Sequence, residues 1–228
     1  MFGLLLTVLS GGWFGKWLDE NLKGSSVTSS VESLGFVGSS SPLVISNDMW
    51  RFLSVYEGFR SKPYQLKGEN FYTIGIGSTR IFSKDGKTSR PVLKTDVVTR
   101  EQAEFHAKIY YSRKGSVKES IDALIKQYNV KLNQRFYDML CQVSYASGSF
   151  HRIYRSNYVS MLQKANGSND LEMLGELLKN TWIGYLKAYA NWDINGLTWS
   201  RRAFASSQYI KGRDWSMNLS VNTIKKPY

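Results

Sequence analysis

Glu57 lies sixteen residues ahead of Thr73, which opens the run Thr73-Ile74-Gly75-Ile76-Gly77. The residues before Glu57 have helical apolar spacing, so its carboxyl group sits near a helix end. The glycine-rich run reads as a short β segment able to fold back toward it. A carboxyl group held over a cleft and facing a hydroxyl suits hydrolysis of a sugar–sugar bond. The acid protonates the leaving oxygen and the hydroxyl steers a water. Such chemistry normally uses a second carboxylate. Glu69 and Gln65, between the two segments, are the candidates for part of that role. Plainer readings stand beside these. Glu57 also fits a helix-end ion pair, Thr73 a strand residue of good β propensity, and the glycines turn geometry alone.

Other chemistries lack their residues. Cys141 is the single cysteine, set in the apolar helical run Phe136-Tyr137-Asp138-Met139-Leu140-Cys141-Gln142-Val143. No intramolecular disulfide or thiolate metal site can form from it, and a buried structural thiol is expected. His106 and His151 are the only histidines. A histidine-rich metal site is therefore not expected, and no Gly-x-Ser-x-Gly elbow accompanies either one. We expect no metal and no cofactor. Thirty Lys and Arg against eighteen Asp and Glu give a net charge of +12. That suits a polyanion: nucleic acid, an anionic membrane or a bacterial wall. No basic recognition helix or aromatic RNA motif supports nucleic acid.

The apolar run Met1–Leu9 is too short to span a bilayer and lacks the basic start of a secretory signal. It continues into Trp13-Phe14-Gly15-Lys16-Trp17-Leu18. Residues 1–23 read as a hydrophobic attachment segment, for a membrane surface or a protein partner. Residues 24–45 read as a Ser/Gly-rich linker, 46–211 as the globular domain and 212–228 as a tail.

Within the domain, Ser46 or Asn47 caps a helix over 47–57 whose buried face is Met49, Trp50, Phe52, Leu53 and Tyr56. Gly58 ends it. A hairpin with its turn near Lys67–Asn70 follows, then a polar, basic loop around Asp85-Gly86-Lys87. Thr99–Gln102 and Ser116–Glu119 read as capping boxes opening two helices, the first to about residue 113. Asn133 caps a helix ending at Gly148, and shorter helices fit 157–165, 170–180 and 199–209. The fold class is α+β: a small hairpin or sheet, then a mostly helical lobe. Trp182, Tyr185, Tyr189 and Trp192 read as core and cleft wall.

Residues Tyr56-Glu57-Gly58-Phe59-Arg60-Ser61-Lys62-Pro63-Tyr64 and Tyr72-Thr73-Ile74-Gly75-Ile76-Gly77-Ser78-Thr79 resemble the phage-type lysozymes of glycoside hydrolase family 24. Thr99–Glu104, Asn133–Leu140 with Tyr145-Ala146-Ser147-Gly148, and Gly196-Leu197 with Arg201-Arg202 extend the resemblance in order over about 46–211. It implies a lysozyme-like fold and a muramidase that cuts the β-1,4 bond between N-acetylmuramic acid and N-acetylglucosamine, with inversion. The family motif is Glu, Asp, Thr. Glu57 and Thr73 match the first and last, and Leu66 stands where the aspartate is expected. Tyr64, Tyr72 and Arg201 are the implied substrate contacts, although Arg201 and Arg202 fit ion pairs within the domain equally well. The resemblance implies a protein of the phage virion or the infected host that acts on peptidoglycan; the N-terminal segment and linker, outside the resemblance, suggest that residues 1–23 contact phage structural proteins. The alternative is a weakened or inactive lysozyme fold kept as a wall-binding virion module.

Overall fold

The computed structural model describes residues 43–65, 69–189 and 192–215, with the backbone alone of 36–38 and 192–198. The attachment segment 1–23, Leu66 and most of the linker and tail lie outside the described residues. The chain divides into two compact units, 45–123 and the remainder. The segment 46–211 draws on both.

In the smaller unit, helix α1 (Asn47–Glu57) starts at Ser46, whose side chain accepts from Met49 N at 3.3 Å. Met49, Phe52, Leu53 and Tyr56 bury one face at helical spacing. Gly58, at φ +69°, ends the helix. Strand β2 (Arg60–Tyr64) then pairs antiparallel with β3 (Thr73–Gly75), Arg60 opposite Gly75 and Tyr64 opposite Thr73, with a register shift between. The stretch read as a polar loop is in fact a second hairpin, β4 (Arg80–Phe82) with β5 (Ser89–Pro91). Its turn is built by Asp85, whose Oδ1 accepts from Ser83 Oγ at 2.6 Å and Lys87 N at 3.1 Å. Strands of three residues carry too little alternation to stand out in the sequence.

Helix α2 (Arg100–Ser112) opens on the expected reciprocal box between Thr99 and Gln102. Helix α3 (Val117–Gln127) opens on a variant of one. Ser116 Oγ accepts from Glu119 N at 3.2 Å, but Glu119 Oε2 accepts from Gly115 N at 2.6 Å, one residue before the cap.

In the larger unit, strand β1 (Phe36–Gly38) pairs with β6 (Lys131–Asn133), Val37 opposite Leu132. A strand therefore lies within the span read as linker. Two further bonds follow it: Tyr137 hydroxyl to Leu43 O at 3.3 Å and Gln134 Nε2 to Val44 O at 2.9 Å. Helix α4 (Gln134–Ser147) is capped by Asn133 as expected and is buried along most of its length. Cys141 is buried in it. Asp138, fully buried, accepts from Gln134 Nε2 at 2.9 Å and from the Tyr209 hydroxyl at 3.0 Å. Helices α5 (Phe150–Ile153), α6 (Arg155–Ala165), α7 (Leu171–Tyr189) and α8 (Trp192–Ile210) complete the unit.

Helices α7 and α8 are each longer than their sequence expectations. Leu174, Leu178, Trp182 and Tyr185 continue one buried stripe past residue 180. Trp182 Nε1 donates to Ser147 Oγ at 2.7 Å, so the stripe reaches α4. Trp182 and Tyr185 are core, as read; Tyr189 is exposed. Among the described residues no three His, Cys, Asp or Glu could hold a metal, and no helix is long and apolar enough to cross a membrane.

His151 is 4% exposed and its Nδ1 has no hydrogen-bond partner. Burial, with the charges of Arg152 and Arg155 behind it, pushes the imidazole down to about 4. The folded chain keeps this ring neutral, whereas the unfolded chain protonates it near the ordinary histidine value. Its contribution to stability is whole above that value and is lost as pH falls toward 4. The melting temperature of the wild type should fall between pH 7 and 5, and that of His151→Phe should fall less. Equal slopes in the two proteins would exclude this linkage.

Candidate active site

Glu57 is the last residue of α1 and is half-buried. What meets it is backbone. Ile74 N donates to Ser78 O at 2.8 Å and Ser78 N to Ile74 O at 3.0 Å, closing a tight loop over Gly75-Ile76-Gly77. Both glycines have positive φ, +66° and +76°, which side-chain-bearing residues adopt at a cost. A Cβ on Gly77 would lie 3.7 Å from Glu57 Oε2, so the loop backbone runs beneath the carboxylate. A Cβ on Gly75 would lie 2.8 Å from Ala103 Cβ, so the other side of the loop is pressed onto α2. The Thr-Ile-Gly-Ile-Gly run is thus a shaped support between two helices of one unit.

Thr73 heads β3 and is 7% exposed. Tyr64 stands opposite it across the hairpin. Burial, then the charge of Glu57, pushes the Tyr64 hydroxyl up to about 12, with Arg60 opposing and Glu69 adding to the rise. Tyr64 thus feels both Glu57 and Glu69 and stays a neutral donor. Arg60 was not foreseen in the sequence. Its guanidinium lies over the Tyr64 ring, 4.1 Å from the centroid. The i, i+4 spacing of Arg60 and Tyr64 carries no such signal on a regular strand; the register shift in the hairpin lies between these two residues.

The proposed stand-ins for a second carboxylate differ. Gln65 is exposed and spends its amide on the loop, Nε2 to Glu69 O at 2.5 Å. Glu69 is half-buried, and its carboxylate charge acts on Tyr64. Tyr72 is half-buried beside Thr73 in the chain. Arg201 lies on α8, in the other unit, half-buried with its Nε unbonded; Arg202 is 5% exposed. One unit thus brings together Glu57, Tyr64, Thr73 and Glu69, while Arg201 belongs to the other.

Residues 54–202 match the model of the phage lysozyme family. The chain belongs to that family. It is therefore a phage peptidoglycan hydrolase of the glycosidase class, acting on the bacterial wall. Two solved structures resemble it. A point mutant of P22 lysozyme is 21% identical, covers 73% of this chain and 97% of its own, and superposes with a TM-score of 0.48. An endolysin from the Escherichia coli O157:H7 phage FAHEc1 is 18% identical, covers 76% and 96%, and has a TM-score of 0.44. No curated protein matches the chain.

The two glycines of the lysozyme loop predict opposite failures. Gly75→Ala adds a backbone penalty and an overlap with the rigid Cβ of Ala103, together about 2–4 kcal/mol of stability. Gly77→Ala carries about 1–2 kcal/mol of backbone strain, but its methyl meets Glu57 at ordinary contact distance. Chemical denaturation should rank Gly75→Ala well below Gly77→Ala. Wall hydrolysis by folded Gly77→Ala should fall, because the methyl occupies space beside the carboxylate. Equal stability of the two variants would contradict the packing described.

Proposed function

We propose that the chain is a muramidase that cuts the β-1,4 bond from N-acetylmuramic acid to N-acetylglucosamine, with Glu57 as the proton donor. The observation carrying this reading is the approach of the Glu57 carboxylate to Gly77, in the unit that holds Thr73. A half-buried carboxyl group at a helix end can present its proton to one side, where a glycosidic oxygen would lie. Thr73 positions the attacking water. An attack by water on the face opposite the acid inverts the anomeric centre.

The family aspartate has its place at Leu66, whose side chain offers neither charge nor hydrogen bond. Glu69 is the better stand-in: it is a carboxylic acid, and its charge acts on Tyr64 across the site. Gln65 is the poorer, since its amide is engaged by the loop. Tyr64 and Tyr72 contact the sugar from the hairpin. With a displaced second carboxylate, turnover is slower than a full pair would allow. Residues 1–23 attach the enzyme to phage structural proteins of the virion.

Muropeptide release from purified peptidoglycan tests the roles. Glu57→Gln should lower release by about 10²–10⁴-fold, the worth of a general acid. Glu69→Gln should lower it by about tenfold or more, and Gln65→Ala should leave it near wild type. Release by Glu57→Gln at the wild-type rate would mean that another group is the acid. If the wild type releases nothing but still sediments with the wall, the chain is a binding module. Particles assembled with a 1–23 deletion should lack the protein; its retention would remove the attachment role.

A further inference from the structure

Two turns of the smaller unit, distant in sequence, meet through one glycine. Gly86, at the tip of the β4–β5 hairpin, has φ +71°, and a Cβ there would come 2.6 Å from Ile109 Cδ1. The hairpin tip therefore rests on the end of α2. Arg113 N donates to Ile109 O at 2.9 Å, so the turn after α2 begins about 6 Å along the axis from that contact. The turn that carries Lys84 and Lys87 thus lies on the last turns of the helix that leads into Arg113 and Lys114.

All four cations are exposed, and none makes an ion pair among the described residues. Arg113 instead lies over the Tyr110 ring at 4.2 Å. The acids nearby in the chain bond within their own turns. Asp85 accepts from Ser83 Oγ and Lys87 N, which pulls its carboxyl group below the ordinary range. Glu119 accepts from Gly115 N. These bonds pin both turns: Asp85 is held within its own turn between Lys84 and Lys87, and the four cations stand on preformed backbone without an ion pair among the described residues. Such a patch favours a polyanion at little ordering cost.

We infer that this face binds the carboxylates of peptidoglycan stem peptides, at residues separate from those around Glu57. The inference rests on peptidoglycan being the substrate. A strand engaged by the smaller unit carries a carboxylate-bearing peptide on each muramic acid, which supplies the repeated negative charge the patch matches. Duplex nucleic acid would offer charge as well, but both basic elements here are turns and neither is a groove-reading helix.

The test uses the full chain with Glu57→Gln to slow turnover, alone and with Lys84→Gln, Lys87→Gln, Arg113→Gln and Lys114→Gln. Each protein is sedimented with insoluble peptidoglycan free of secondary polymers, and with the same material after an amidase has removed its stem peptides. The fourfold change should weaken binding about tenfold at low ionic strength, with the difference gone near about 1 M salt. Removing the peptides should weaken the parent protein to a similar degree and the fourfold variant hardly at all. Equal binding by the two proteins, or an effect that survives removal of the peptides, overturns the inference. So does a larger loss on duplex DNA than on peptidoglycan. Charge-dependent binding by a wild type that releases no muropeptide would leave the inference standing and remove the hydrolase reading instead.

Discussion

The approach of the Glu57 carboxylate to the backbone at Gly77 sets the terms for the rest of the smaller unit. The positive φ at Gly77 favours a residue without Cβ, and the carboxylate lies within contact distance of where a Cβ would be. The same loop must turn back within five residues, so Ile74 and Ser78 bond to each other. It must also lie flat on α2, so Gly75 faces Ala103. One side of the loop meets the acid and the other meets the core, which leaves little freedom between them.

Electrostatics follow from that placement. Tyr64 is the group that reports on it, because its buried hydroxyl responds to Glu57, Arg60 and Glu69 together. A guanidinium over its ring sets a positive charge against the negative charges that the tyrosine feels. Glu69, between the two strands in sequence, adds a second acidic group whose charge reaches Tyr64. Gln65 is engaged differently: its amide closes the loop onto Glu69 O.

Where one signal was strong, the sequence was easily read. Ser46, Gly58, Thr99 with Gln102, and Asn133 marked helix ends by chemistry that acts within one turn. The glycine-rich run marked the loop, because positive φ leaves its trace in residue type. Other features depended on partners far along the chain. The β4–β5 hairpin is too short for periodicity to announce it. The strand at Phe36–Gly38 exists because Lys131–Asn133 is there to pair with it. Helix α7 extends because Trp182 finds Ser147 on α4. Arg60 escaped notice because its stacking on Tyr64 is not implied by regular strand spacing. Tertiary pairing outweighed local pattern in each case.

The account stands on where a glycan would place its scissile oxygen. The most direct measurement is a crystal structure of the Glu57→Gln protein with a bound N-acetylmuramic acid–N-acetylglucosamine tetrasaccharide. The account predicts a bridging oxygen within about 3 Å of the residue 57 side chain, with Thr73 across the ring. A tetrasaccharide bound with no glycosidic oxygen in reach of residue 57, or bound only elsewhere on the molecule, would contradict it.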